Sequence, residues 1–376
     1  MRAAELLFVS AGLGLEGGGR ALAGRLLASA CGSFARAADL PLRILSLDGL
    51  PPDLPEGTRE ARDFHGSQRR LAWEVFRSQT GPTPSRLLVF DLLGPARVQA
   101  FVPPVWRAPY LVQLLGIEVW RPLSWDRRRA LSHASAALSI SELTLARARP
   151  FCPDLPPVRV VPLALEERAA EGAIDEALLA RAGAGFLLMT GRMAASERYK
   201  GHDAVLEALP SLARLRPEVR LVIAGDGDDR RRLAERAWAL GIGEHVLFTG
   251  FTSETTLREL YRRSAALVLP SRGEGFGLVY LEAMREARPV VATRASAAEE
   301  IVVDGETGLL VEPEDREALI GTLAGLLADP ERARTLGEAG NRRWKAEFSY
   351  ARYEGRIHAA LAAAAGLAAN GETAAA

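Results

Sequence analysis

The amino-acid sequence predicts an α/β fold with two doubly wound parallel sheets, one in each half of the chain. Short, nearly uninterrupted apolar runs alternate with amphipathic helical patterns from end to end, as parallel strands covered on both faces by crossover helices require. The runs form two sets of about six, each enough for one sheet. Between the sets, LALEERAAEGAIDEALLARAGAG (163–185) is rich in Ala, Glu and Gly and has no strand pattern. It is the expected connection, with the boundary near residue 170, a first domain over 1–168 and a second over 169–347.

In the first half, ELLFVSA (5–11) reads as the opening strand, because its apolar run is too short for a signal-peptide core. A glycine-rich turn leads into helical RALAGRLLASA. Strands are then expected at LRILSLD (42–48), RLLVFDLL (86–93), PYLVQLLG (109–116), AALSIS (136–141) and VRVVPLA (158–164). The polar stretch 47–70 has no chemical signature and reads as a solvated loop. The second-half strands are FLLMTG (186–191), VRLVIAGDG (219–227), HVLFTG (245–250), AALVLPS (265–271), RPVVATR (288–294) and GLLVEP (308–313). Between them lie the amphipathic patterns HDAVLEALPSLARL, DDRRRLAERAWALG, SETTLRELYRRS, GLVYLEAMREA and DREALIGTLAGLLAD. The low-complexity end, including 367–376, is expected to be a frayed tail.

Composition narrows the classes of function. With 48% hydrophobic and 25% charged residues the chain is expected to bury a substantial core. Its 47 basic and 47 acidic residues balance, so no overall field favours nucleic acid. Cys31 and Cys152 make neither a disulfide framework nor a metal cluster, and a reducing, cytoplasmic setting is expected. No apolar run is long enough to span a bilayer, so membrane contact would be peripheral. Lysine occurs only at positions 200 and 345; arginine is the default cation.

Gly12, Gly14 and Gly17 match G-x-G-x-x-G between a strand and a helix, the context of a dinucleotide fingerprint. That reading needs an acid about 20 residues on, at the end of the second strand. Asp39 precedes that strand, and Asp48, at its end, lies 31 residues beyond Gly17. The spacing fails. Gly17, Gly18 and Gly19 instead form a bare run before a helix, which lets another molecule approach the backbone and offers N–H groups to an anion. A tight turn and an NAD-dependent oxidoreductase are the competing readings.

The strongest signal is SRGEGFGLVYLEAMREARPVV (271–291). Glu274 stands in a glycine-rich loop after a strand, and Glu282 eight residues later inside a helix. Gly275 and Gly277 leave the N–H groups of Phe276, Gly277 and Leu278 open at a helix start, where the dipole favours phosphate. A glycosidase uses paired carboxylates but has no need of an anion cradle. Carboxylates also accept hydrogen bonds from sugar and ribose hydroxyls, so a nucleotide sugar accounts for both parts. In GRMAASERYKGHDAV (191–205), Arg192 follows a strand and Lys200 precedes Gly201 and a helix. An ammonium suits a point contact on phosphate and a guanidinium can fork two oxygens. VIAGDGDD (222–229) and FTGFTS (248–253) add strand-end turns in which Gly225, Gly250, Phe251 and Thr252 are candidate walls for a nucleobase and ribose.

Together these residues resemble the retaining glycosyltransferases of family 4, the glycosyl transferases group 1 with the GT-B fold. The resemblance runs through the glycine loop at 16–19, GIEVW (116–120), SISELT (139–144), GR and YKGHD within 191–203, AGDG (224–227) and EGFGLVYLEA (274–283). It implies two Rossmann-like domains facing across a cleft, with a C-terminal helix, about 348–366, crossing back to the first. It also implies that Arg192 and Lys200 bind the donor diphosphate, Glu274 the transferred sugar's hydroxyls and Glu282 the ribose. Arg192, Lys200 and Glu274 would be the catalytic set. Phe276, Gly277 and Leu278 would meet the donor through backbone groups, and Gly17 and Gly18 would close on its phosphates.

The implied reaction moves a sugar from a nucleoside diphosphate sugar to the hydroxyl of a saccharide, lipid-linked or small-molecule acceptor in bacterial glycan or glycoconjugate assembly, with no obligatory metal or cofactor. Leu115, Gly116 and Glu118 fall on the acceptor side, where Leu115 replaces the family's usual histidine. The usual P-N-G turn is replaced by PLALEE (162–167). The histidines at 65, 133, 202, 245 and 358 offer no substitute. A catalytically inactive GT-B partner that binds nucleotide sugar is the alternative reading.

Overall fold

The computed structural model describes residues 4–15, 18–80, 86–165 and 170–366. The 367–376 tail lies outside the described residues. The chain divides into two compact units, Met1–Leu163 with Ala351–Ala376, and Ala164–Tyr350.

The first unit is built on a parallel sheet of seven strands: β1 Glu5–Ser10, β2 Leu42–Ser46, β3 Thr58–Asp63, β4 Arg86–Phe90, β5 Tyr110–Leu114, β6 Ala136–Ser139 and β7 Val158–Val160. Their order is β3-β2-β1-β4-β5-β6-β7. Central β1 is buried along its whole length, with Phe8 in register with Ile44 on one side and Val89 on the other. The polar stretch 47–70 is not wholly loop, because it contains β3, TREARD. This strand has no apolar run to announce it. Backbone pairing to β2 and an Arg43–Glu60 ion pair at 2.9 Å hold it, and its charges suit an exposed sheet edge.

Strand side chains alternate between faces. Leu7, Val9, Leu88, Phe90, Tyr110 and Val112 face a layer of α2 Gln68–Arg77, α3 Leu93–Ala96, α4 Trp125–Ser132 and α5 Glu142–Ala148. Leu71, Val75, Leu93 and Leu131 fill that interface. A 3-10 turn, Arg97–Ala100, continues α3. Helix α1, Gly19–Ala37, packs along β1 and β2. The chain returns to this unit in its last helix, Tyr350–Ala364, where Glu354 accepts from the Ser33 hydroxyl at 2.6 Å and His358 stands edge-on to Phe34.

The second unit has six parallel strands: β8 Leu187–Thr190, β9 Leu221–Ala224, β10 Val246–Gly250, β11 Ala266–Leu269, β12 Val290–Thr293 and β13 Gly308–Val311, ordered β10-β9-β8-β11-β12-β13. Its helices are α6 Glu176–Ala182, α7 His202–Leu215, α8 Arg230–Ala239, α9 Glu254–Arg263, α10 Leu278–Arg285, α11 Ala298–Ile301, α12 Arg316–Ala328 and α13 Pro330–Glu347. Side-chain caps from Asp175, Ser253, Asp315 and Asp329 start α6, α9, α12 and α13. No helix among the described residues is long and apolar enough to cross a membrane.

Strand order reverses between β1 and β4 in the first sheet and between β8 and β11 in the second. Loops leaving neighbouring strands diverge at such a point and open a crevice at the carboxyl ends.

Candidate functional site

In the second unit the two loops richest in candidate residues leave β8 and β11, the strands that flank the reversal. The β8 loop runs through Gly191 and Arg192 to a 3-10 turn at Ala195–Lys200, then through left-handed Gly201 into α7. The β11 loop runs from Ser271 to Gly277 and into α10. The Arg272 N–H donates to the Tyr199 carbonyl at 2.9 Å, joining the two loops.

Glu197, absent from the sequence reading, lies between the two cations. Its carboxylate accepts from Lys200 Nζ at 2.9 Å and from both Nε (3.3 Å) and Nη2 of Arg192. Lys200 is well enclosed at 16% side-chain exposure, whereas Arg192 is 66% exposed. Burial works to raise the Glu197 carboxyl, but hydrogen bonds from Arg192 and Lys200 outweigh it and hold the group below its ordinary value. Burial pushes the Glu274 carboxyl above its ordinary value, against the pull of the neighbouring Lys200 charge. The Tyr199 phenol is pushed up to about 12 by burial, reinforced by Glu197 and Glu274. Arg192, Lys200 and Glu274 therefore share one electrostatic neighbourhood with Glu197 and Tyr199.

Glu282 is held separately. It projects from α10 toward Tyr261 of α9, whose hydroxyl donates to Glu282 Oε2 at 2.7 Å and meets Thr190 Oγ1, at the end of β8, at 2.9 Å. Burial raises the Glu282 carboxyl, and the Tyr261 hydrogen bond opposes that rise. Both carboxylates thus lie around the β8 terminus, one through Lys200 and the other through Tyr261 and Thr190.

The start of α10 is uncapped. Gly277 has φ 96°, a left-handed conformation that glycine adopts without a Cβ clash, and supplies no side-chain acceptor. Among the described residues, the N–H groups of Phe276, Gly277 and Leu278 find no protein acceptor, leaving orphan donors beside the dipole's positive end. The Phe276 ring turns into the core, edge-on to Phe348 at 6.3 Å, so only its backbone is available. Gly225 and Gly250 are joined by a 3.0 Å N–H···O bond across the ends of β9 and β10. Phe251 beside them is exposed and Thr252 half-buried.

In the first unit, Gly14 accounts for part of the glycine motif. Its N–H donates to the Gly49 carbonyl at 3.3 Å, and a Cβ there would lie 2.6 Å from the Gly49 and Leu50 backbone. Gly17 lies outside the described residues. Gly18 precedes α1 without a side-chain cap, and a Cβ on it would meet no atom within 4 Å. Nearby, at the β1–β4 reversal, buried Asp91 accepts from the Ser10 hydroxyl at 2.6 Å and the Ala11 N–H at 2.9 Å. Burial pushes its carboxyl up to about 6. Glu118 turns back to accept the Leu115 N–H at 2.5 Å, closing the Leu115–Gly116 turn on itself.

Comparison with known proteins gives the architecture its place. Over 96% of its length the chain superposes on sucrose-phosphate synthase from Thermosynechococcus elongatus with a TM-score of 0.74 and 22% identity, covering 100% of that chain. The HepE protein of Anabaena, solved in complex with UDP, gives the same TM-score and coverage of both chains at 18% identity. The fold is GT-B. Within this GT-B chain, residues 173–343 match the family of glycosyl transferases group 1. A curated relative, the GDP-mannose-dependent α-(1-6)-phosphatidylinositol monomannoside mannosyltransferase of Mycolicibacterium smegmatis, is 40% identical over 152 residues, 39% of this chain. The chain spans 40% of that relative's length.

Proposed function

We propose that this GT-B chain is a retaining glycosyltransferase that moves a sugar from a nucleoside diphosphate sugar to an acceptor hydroxyl, in bacterial glycan or glycoconjugate assembly. The observation that carries the reading is the joint placement of Arg192, Lys200 and Glu274 at the β8–β11 reversal, with the Glu274 loop ending in the uncapped start of α10. The match over 173–343 covers the segment that holds all of these residues. UDP bound to HepE is the kind of donor fragment such a site would take.

In the proposed reaction the bond between the anomeric carbon and the diphosphate oxygen breaks, and a bond from the same face to the acceptor oxygen forms. The acceptor's proton passes to the departing phosphate, so no protein base takes it. Negative charge builds on the leaving diphosphate. Arg192, Lys200 and the N–H groups of Phe276, Gly277 and Leu278 are fixed donors for it, and in an enclosed site one such donor is worth about 3 to 4 kcal/mol of barrier. Glu274 accepts hydrogen bonds from the transferred sugar and Glu282 from the ribose. Gly225, Gly250, Phe251 and Thr252 flank the base, and Leu115, Gly116 and Glu118 are assigned to the acceptor side. Glu197 keeps the two cations at one point until the diphosphate takes them over.

Lys200→Ala and Glu274→Ala are each expected to remove most transfer, measured as nucleoside diphosphate release with acceptor present, while the far-ultraviolet spectrum stays native. UDP or GDP should raise the melting temperature of the unmodified chain. Near-normal turnover in both variants would sink the assignment.

A further inference from the structure

One helix layer of the first unit carries a surface unlike the rest of the molecule. Helix α2 touches α3 and its 3-10 continuation, and these in turn touch α4, so the three are neighbours. Trp73 on α2, Phe101, Val105 and Trp106 on the segment after the 3-10 turn, and Trp125 at the start of α4 are 49% to 85% exposed. Phe101 and Trp125 meet edge to face at 5.4 Å, and Trp73 stacks on Phe76 at 6.1 Å. Three of the chain's six tryptophans are therefore presented outward on one layer. Scattered exposed apolar residues are ordinary, whereas a concentration of large ones marks a contact surface.

Exposed charge on α2 and α4 has one sign. Every exposed ionisable side chain on α2 and α4 is an arginine, because Glu74 and Asp126 are buried and paired, Glu74 with Arg77 and Asp126 with Arg97. Arg69, Arg70, Arg121 and Arg128 have no carboxylate partner among the described residues. In a chain of zero net charge this is a local excess, and it calls for an anionic partner. A second copy is a poor one, since a two-fold contact would set arginines against arginines. Nucleic acid would satisfy the charge and could stack on the indoles, but it offers nothing to aliphatic Val105, the most exposed of the group. The boundary between headgroups and acyl chains accepts all three chemistries: indoles settle there, aliphatic groups bury, and guanidinium groups meet lipid phosphate.

We propose that the α2–α4 face of the first unit docks on an anionic lipid bilayer, with the exposed aromatics and Val105 at the headgroup–acyl boundary and the arginines on lipid phosphates. This proposal stands apart from the donor-site reading and makes no use of its residues.

The test is co-sedimentation of the full chain with vesicles of phosphatidylcholine alone and of phosphatidylcholine mixed with phosphatidylglycerol. Binding is expected only to the mixed vesicles, with release at high salt. Each arginine at a surface of this kind is worth about five-fold in partition, so combined replacement R69Q, R70Q and R128Q should weaken binding about a hundred-fold. Phe101→Ser with Trp125→Ser should weaken it about ten-fold or more. Both variants should keep the native melting temperature and its rise with UDP or GDP, so failure here would leave the donor-site reading untouched. Equal binding to both vesicle types, no binding to either, or undiminished binding by both variants would overturn the proposal. So would tighter retention of a single-stranded DNA oligomer than of mixed vesicles, or a dimer in solution that Trp125→Ser dissociates.

Discussion

Tyr261→Phe probes how Glu282 is aimed. The Tyr261 side chain is fully buried, and its hydroxyl joins Glu282, at 2.7 Å, to Thr190, at 2.9 Å. Removing that oxygen deprives a half-buried carboxylate of a charge-assisted donor, and hydrogen bonds of this kind are worth about 1.5 to 3 kcal/mol. A stability loss of about 2 kcal/mol is therefore expected. The carboxylate, no longer fixed, should also lose part of its contact with ribose, and a loss of about 1.4 kcal/mol is ten-fold in affinity. Isothermal titration would compare UDP with its 2′,3′-dideoxy analogue, which lacks the hydroxyls Glu282 is proposed to accept. UDP should bind the variant about ten-fold more weakly and the dideoxy compound equally well. An equal loss for both ligands, or none for either, would refute the role of Tyr261 as a positioning residue for ribose recognition.

Further outcomes follow from the same geometry. Glu197→Gln removes the negative charge between Arg192 and Lys200, so nucleoside diphosphate should bind about five-fold more tightly, the effect of about 1 kcal/mol for a unit charge near water, and titration showing weaker binding would exclude competition. Gly277→Ala forces a Cβ into a left-handed conformation, 2.3 Å from the Tyr280 ring, and should cost about 2 kcal/mol or more, read as a fall of roughly 4 to 8 °C in melting temperature. His202 is buried with Nε2 unpartnered among the described residues, and burial, aided by the Lys200 charge, pushes its pKa down to about 4. The unfolded chain then binds the extra proton between about pH 6.5 and about pH 4, so stability is retained above that window and lost through it, by about 3 kcal/mol at most. His202→Gln should flatten this part of a denaturation-versus-pH profile, and an unchanged slope would refute the assignment.

The strands were legible because burial on two faces writes a continuous apolar run: each of the twelve runs contains an observed strand. The thirteenth, β3, was not, because an edge strand held by backbone pairing and ion pairs needs no apolar residues. Lys200 stood out against an arginine-rich background, and Glu274 and Glu282 against their glycines. Glu197, three residues before Lys200, carried a local signal in that spacing, but its bond to Arg192 depends on the path of the loop. Tyr261 and Asp91 carried none. Their partners lie 21 and 71 residues from Tyr261 and 81 from Asp91, and only the folded sheet brings them together.

The first unit is discontinuous in sequence, since residues 164–350 intervene before its last helix arrives. During synthesis on the ribosome, the second unit emerges whole while the first still lacks the partner of Ser33 and Phe34 on α1. The nascent chain must therefore carry an unfinished domain until the helix at Tyr350–Ala364 has been made. A premature stop before Tyr350 would leave the α1 surface exposed, making such a product a substrate for chaperones and proteases.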